Sequence, residues 1–125
     1  MYTVKVREHV MIAHSLKNEA FGPAQNLHGA TYIVDAEFQC DTLDEHNVVI
    51  DIGLATQLLR QVLVPLNYQN LDEVEIFHGK LTTTEFLAFF IHQEIAKAVA
   101  ASFTGNLKIT LGESHIAWAS YEGRV

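Results

Sequence analysis

Two long runs of alternating side chains, meeting across a short Gly/Pro loop, leave the front of this chain little choice of fold. From Tyr2 to His14, the residues Tyr2, Val4, Val6, Val10, Ile12 and His14 share one side of an extended strand. From His28 to Cys40, the residues His28, Ala30, Tyr32, Val34, Ala36, Phe38 and Cys40 do the same. A period of two cannot be used by a helix, so the pattern predicts a β-hairpin. Its connection is Ser15–Leu27, which contains Phe21-Gly22-Pro23-Ala24. Each run ends in a histidine on its apolar face at the mouth of the loop. Two imidazoles brought together there are the beginning of a metal site, although a catalytic zinc normally takes three protein ligands. The next residue on that face after His28 is Ala30, which has no donor atom, and His9 falls on the opposite face. Taken singly, either histidine is also accounted for by a hydrogen bond to a backbone carbonyl.

Downstream, Asp41–Asn47 reads as a polar turn leading into the apolar run Val48-Val49-Ile50. Asp51 can cap a helix carrying Leu54, Leu58, Leu59, Val62, Leu63 and Leu66 at helical spacing, with Pro65 near its end. Thr82 and Glu85 have the spacing of a capping box for a second helix reaching about Ser102. Phe86, Leu87, Phe90, Ile91, Ile95 and Val99 make that helix heavily apolar. Leu107–Glu113 and Ile116–Glu122 close the chain as a second strand pair. The order β-β-α-α-β-β predicts one α+β domain over residues 1–125, with two helices on one face of a four-stranded antiparallel sheet.

Composition narrows the partners. A formal net charge of −7 on 125 residues, with no basic patch, argues against nucleic acid or an anionic membrane. Hydrophobic residues at 49% leave apolar surface that other copies of the chain could cover. The single cysteine, Cys40, cannot form an internal disulfide and suits a reducing compartment; within its strand it reads as a small core hydrophobe. No apolar run approaches the ~20 residues that span a bilayer, and the N-terminus carries no signal-peptide pattern. A cytoplasmic protein is the expectation.

Glu113 stands out among the acidic residues. In Leu107–Glu113 the odd positions share a face, placing this carboxylate in line with Leu107, Ile109 and Leu111. Such a carboxylate needs hydrogen-bond donors. A ligand with two adjacent N–H groups, such as the amino-pyrimidinone edge of a pterin or guanine, would supply them. A strand-end residue turned to solvent is the alternative. Thr83 and Thr84 leave hydroxyls at the start of the second helix.

The motifs Val10–His14, Leu27–Tyr32, Val48–Asp51, Leu66–Asp72, Thr82–Glu85, Gly112–Ser114 and Tyr121–Gly123 occur in this order across essentially the whole chain. In this order they resemble the 6-pyruvoyl-tetrahydropterin synthase and 6-carboxy-tetrahydropterin synthase family. The resemblance implies the T-fold, with subunits joining their sheets into trimeric or hexameric rings and pterin sites at subunit interfaces. It places the family's pterin-binding carboxylate on Glu113, and its supporting residues on Thr83, Thr84 and Glu85. The family's zinc histidines fall on His14, His28 and Ala30, so the third ligand is missing. The family's catalytic cysteine lies in a loop that here, from Phe21 to Leu27, contains none, with Gly22 or Ala24 at the matching positions. Its Asp-His pair falls on Asn67 and Tyr68. An amide has no proton to exchange near neutrality, and a phenol, ionising near pH ~10, is poorly matched as a base.

The resemblance therefore implies a pterin-binding protein without the zinc-dependent reaction, and no metal or other cofactor is expected. Two alternatives stand beside it. One is an active lyase whose metal shell is completed by a partner subunit or by the ligand. The other is a non-catalytic ring with a structural or interaction role. Tyr68 and His115 are candidates for altered proton chemistry, and each is also explained as a packing or turn residue.

Overall fold

The structure is a computed structural model and describes residues 1–125. Its strands are β1 (Tyr2–His14), β2 (His28–Cys40), β3 (Gln69–Asn70), β4 (Asn106–Ser114) and β5 (Ala117–Arg124), and its α-helices are α1 (Ile52–Leu63) and α2 (Thr84–Val99). The hairpin has the bounds that the alternation predicts. Its register pairs Val6 with Ala36, Val10 with Tyr32 and His14 with His28.

The sheet order is β3-β1-β2-β4-β5, which makes five strands where four were expected. The extra strand has two residues and runs parallel to β1 at Ile12 and Ala13. Two residues are too few to show a period. This strand exists because Asn67 and Tyr68 hold Met11, as described below, and not through any propensity of its own.

α1 begins at Asp51, whose carboxylate accepts from the Leu54 N–H at 2.8 Å. It stops at Leu63, short of Leu66, because Pro65 cannot continue the hydrogen-bond ladder. Leu66 is still buried, reached through a turn. α2 ends at Val99, before Ser102, where the Ser102 and Phe103 N–H groups both turn back onto the Val99 carbonyl. This tucks Phe103 against Phe38, with ring centroids 5.3 Å apart.

Both helices pack on one face of the sheet around a single cluster of 24 buried apolar residues. Cys40 is not part of it. It ends β2 half-buried, where the chain turns away, and its thiol donates to the Thr42 carbonyl at 2.9 Å. β5 is an outer strand, and β1 from Tyr2 to Met11 has no neighbour on its outer side.

The helix-free face carries Lys5, Arg7, His9 and Met11 from β1, all exposed. Across from Arg7, Asp35 is buried and takes a forked pair of hydrogen bonds from the guanidinium at 2.6 and 2.9 Å. Those bonds hold the Asp35 carboxyl below the usual carboxylate range; burial opposes the shift, and the charges of Arg7 and Lys5 assist it. A carboxyl in the unfolded chain titrates near pH ~3.9. The pair's stabilisation is therefore complete above that pH and is lost as pH falls through the depressed native value. Asp35→Asn is expected to lower stability at pH 7, with the gap to the parent closing as pH falls below the ordinary carboxylate range. Urea unfolding across that range measures it, and a constant gap would mean the pair is not the source.

Candidate functional site

The hairpin register puts His14 opposite His28, and their rings meet edge to face with centroids 4.6 Å apart. His28 Nδ1 donates to the Asn26 carbonyl at 2.8 Å. A carbonyl only accepts, so the neutral ring keeps its lone pair on Nε2. His14 is only 2% exposed and uses Nδ1 towards the Thr82 hydroxyl at 3.0 Å. Burial, with His28 beside it, holds the His14 imidazole below its usual range, against the Thr82 bond and the charges of Asp72 and Glu113.

Each ring thus spends Nδ1 on the protein and leaves Nε2 free, the arrangement in which histidine serves as a metal ligand. The third member of the set is lacking. Ala30 follows His28 on the same strand face, packed against the core, and offers no donor. The group of three His, Cys, Asp or Glu side chains with ligand atoms within 4.8 Å of one another is Asp44-Glu45-His46, which is fully exposed and unconnected to this pair. Two imidazoles do not fit a zinc that needs three protein ligands.

Asn67 and Tyr68 serve the backbone. The Asn67 side-chain carbonyl accepts from the Met11 N–H at 3.0 Å, and the Tyr68 N–H donates to the Met11 carbonyl at 2.6 Å. This double grip aligns β3 with β1. It also bends the chain sharply, with Tyr68 at φ 60° in the left-handed region. The Tyr68 side chain is 76% exposed and makes no hydrogen bond. Close by, Asp72 accepts from both the N–H and the hydroxyl of Ser15, which ties the residue after His14 to the turn after β3.

The start of α2 differs from the expected capping box. Thr83, not Thr82, is the cap, its hydroxyl accepting from the Phe86 N–H at 3.1 Å. Thr82 is instead drawn inward to His14 and is 2% exposed. Thr84 points the other way and donates to Glu113 Oε2 at a long 3.5 Å. Three successive threonines therefore serve the histidine pair, the helix end and the carboxylate in turn.

Glu113 is not in line with Leu107, Ile109 and Leu111. The β4–β5 register shifts between Gly112 and Ser114, and this bulge turns the carboxylate to solvent. Its local cause is Gly112, over which the Trp118 indole lies; a Cβ there would meet the ring at 3.0 Å. Glu113 opens onto a cleft of about 360 Å³ lined by Thr84, Glu85, Ala117, Trp118, Ala119 and Ser120. His115 lies in a separate small cavity with Arg7, Asp35 and Thr110 on the helix-free face, although Trp118 borders both.

Glu113, Thr84 and Glu85 are thus brought together, while Tyr68 and His115 are not part of that cleft. The expected cysteine-free loop forms a short 3₁₀ turn, Glu19–Gln25, with Gly22 at φ 52° and ψ −126°. Sequence reading passed over Trp118, which carried no spacing signal, and read Thr82 only as a helix cap, whereas the structure draws it to His14. Chemically, the cleft offers an exposed carboxylate and a hydroxyl at a helix start, an arrangement suited to a ligand edge with paired N–H donors.

Comparison with known proteins gives a consistent picture. The sequence profile of the family described as 6-pyruvoyl tetrahydropterin synthase matches residues 3–124. The 6-pyruvoyl tetrahydropterin synthase of Caenorhabditis elegans superposes with a TM-score of 0.84 at 21% identity, covering 98% of this chain and 95% of that one. The Plasmodium falciparum enzyme gives 0.81 at 15% identity, over 99% and 98% of the two chains. That of Plasmodium vivax gives 0.76 at 13%, with both chains covered in full. A sequence search of curated proteins returns no match.

Proposed function

The chain belongs to the 6-pyruvoyl tetrahydropterin synthase family and has its T-fold, and from that premise we propose that it binds a pterin-like ligand through Glu113 without carrying out the family's zinc-dependent reaction. One observation carries the reading: the Glu113 carboxylate faces an open cleft with the Thr84 hydroxyl on one of its oxygens. A carboxylate oxygen has two lone pairs, so Oε2 can accept from Thr84 and from a ligand together. Thr83 holds the helix start that carries Thr84, and Glu85 lines the cleft.

The catalytic half of the reading rests on chemistry that is missing. Ala30 supplies no third metal donor, the Asn67 side chain is committed to Met11, the exposed Tyr68 phenol is poorly matched as a base, and the Phe21–Leu27 loop carries no thiol. No resident metal and no other cofactor enters this proposal. The open outer sides of β1 and β5 favour assembly with further copies of the chain, since an unpaired strand edge is a template for another strand.

Fluorescence titration of the purified protein with a reduced pterin analogue tests the binding. Saturable binding in the micromolar range is expected, and none at millimolar ligand would overturn it. One observation favours a second reading, an active lyase completing its metal shell from a partner subunit or the ligand: both histidines leave Nε2 free. Elemental analysis decides. Near one zinc per chain supports that reading, and a metal-free protein that stays so in zinc supports ours.

A further inference from the structure

Trp118 is the only tryptophan in the chain, and its side chain is 62% exposed. Its position is nonetheless fixed by its neighbours. It pairs with Gly112 across β4 and β5, and the five-membered part of the indole rests on that glycine, where a Cβ would meet Cδ1 and Nε1 at 3.0 Å. The bare position 112 thus seats the ring on backbone and leaves its outer surface open. The bulge in β4 falls between the Gly112–Trp118 and Ser114–Ala117 pairs, which sets Glu113 beside Trp118. Both residues line the same cleft of about 360 Å³. The lining includes a second carboxylate, Glu85, and neither Lys nor Arg, so the cleft suits a ring and not a phosphate.

We infer that Trp118 is the stacking platform of this cleft, and that it restricts the ligand to a flat amino-pyrimidinone ring such as a pterin or a guanine base. The inference rests on the reading of Glu113 as the ligand's acceptor and adds a second demand at right angles to the first. A carboxylate that takes two adjacent N–H groups binds a ligand at its edge, in the ligand's own plane. An indole binds at the face, through the offset contact that aromatic rings prefer. A planar heteroaromatic ring with an N–H-bearing edge meets both demands at once. A flexible or aliphatic donor satisfies the carboxylate alone. Because Gly112 already holds the indole, little side-chain freedom is left to lose when a ligand stacks on it.

Calorimetric titration with a reduced pterin analogue, beside a thermal melt and gel filtration of each variant, provides the test. Trp118→Leu keeps apolar cover on Gly112 but has no aromatic face, and is expected to weaken binding roughly ten- to a hundredfold. Trp118→Phe keeps a face and should lose no more than about threefold. Both should melt close to the parent, because most of the side chain already lies in water. Since no other indole is present, tryptophan emission reports on position 118 alone and should be quenched with the same midpoint as the heat of binding. If the parent binds and Trp118→Leu binds equally, or if Trp118→Phe loses as much as Trp118→Leu, the inference is overturned while Glu113 keeps its role. A changed oligomeric state in Trp118→Leu also overturns it, by making the indole a contact between copies of the chain. If the parent shows no binding, both readings fall together.

Discussion

Glu113→Ala should weaken binding of a reduced pterin analogue by at least a hundredfold while leaving the fold intact. Hydrogen bonds to a charged group contribute ~1.5–3 kcal/mol each. Two of them to one ligand edge amount to about 3–6 kcal/mol, or roughly a factor of 10² to 10⁴ in affinity. The fold has little at stake, since Glu113 sits exposed on a bulge and Thr84 is its one hydrogen-bond partner. Its removal should move stability by no more than about 0.5 kcal/mol. Glu113→Gln should lose nearly as much affinity, because one of the two acceptors becomes an NH₂ facing the ligand's own donors. Titration of both variants beside the parent, with a thermal melt of each, gives the result. Parent-like affinity in Glu113→Ala would show that the carboxylate is merely solvated.

Ala30→His should give a protein that retains about one zinc per chain where the parent is expected to retain none. Position 30 lies on the same face of β2 as His28, and its cross-strand neighbour is Ile12, two residues before His14. A third imidazole there completes a three-histidine set, the number a catalytic zinc site uses. His28 and His14 already direct Nε2 away from their protein partners. The insertion has a cost, for Ala30 packs against the core, and added volume in a packed place destabilises by ~1–3 kcal/mol. Zinc should therefore raise the variant's melting temperature by more than it raises the parent's. Elemental analysis after dialysis against saturating zinc reads the stoichiometry. A variant that stays metal-free would show that side chain 30 does not point where His28 points.

What the sequence made legible follows the strength of each local signal. β1 and β2 were readable to the residue because thirteen positions of alternation in each leave no other register that buries Val6, Val34 and Phe38 together. α1 was readable at its start, where Asp51 caps, and less so at its end. β3 was invisible, since its two residues are placed by Asn67 and Tyr68 acting on a strand more than fifty positions earlier. The start of α2 was ambiguous by one residue, because Thr82, Thr83 and Thr84 can each cap. The spacing to Glu85 favoured Thr82, but His14 claimed it from another strand. The face of Glu113 was misread, because strand alternation does not survive a bulge. The misses at β3 and at the start of α2 have tertiary partners far away in sequence. The bulge at Glu113 and the end of α1 are set locally, by Gly112 with Trp118 and by Pro65.

The Phe21–Leu27 loop ties what it can carry to its backbone torsions. Asn67 and Ala30 sit outside the positive-φ region, so a single substitution at either could introduce an acid or an imidazole without backbone strain. Gly22 is different. At φ 52° and ψ −126° it occupies a region open essentially to glycine alone, and any side chain there costs ~1–3 kcal/mol in backbone strain. The space around it is clear, with no atom within 4 Å of a added Cβ, so the obstacle is torsional and not steric. A thiol at that position would have to carry this strain or shift the turn. Torsion, and not room, is therefore what keeps a side chain out of position 22.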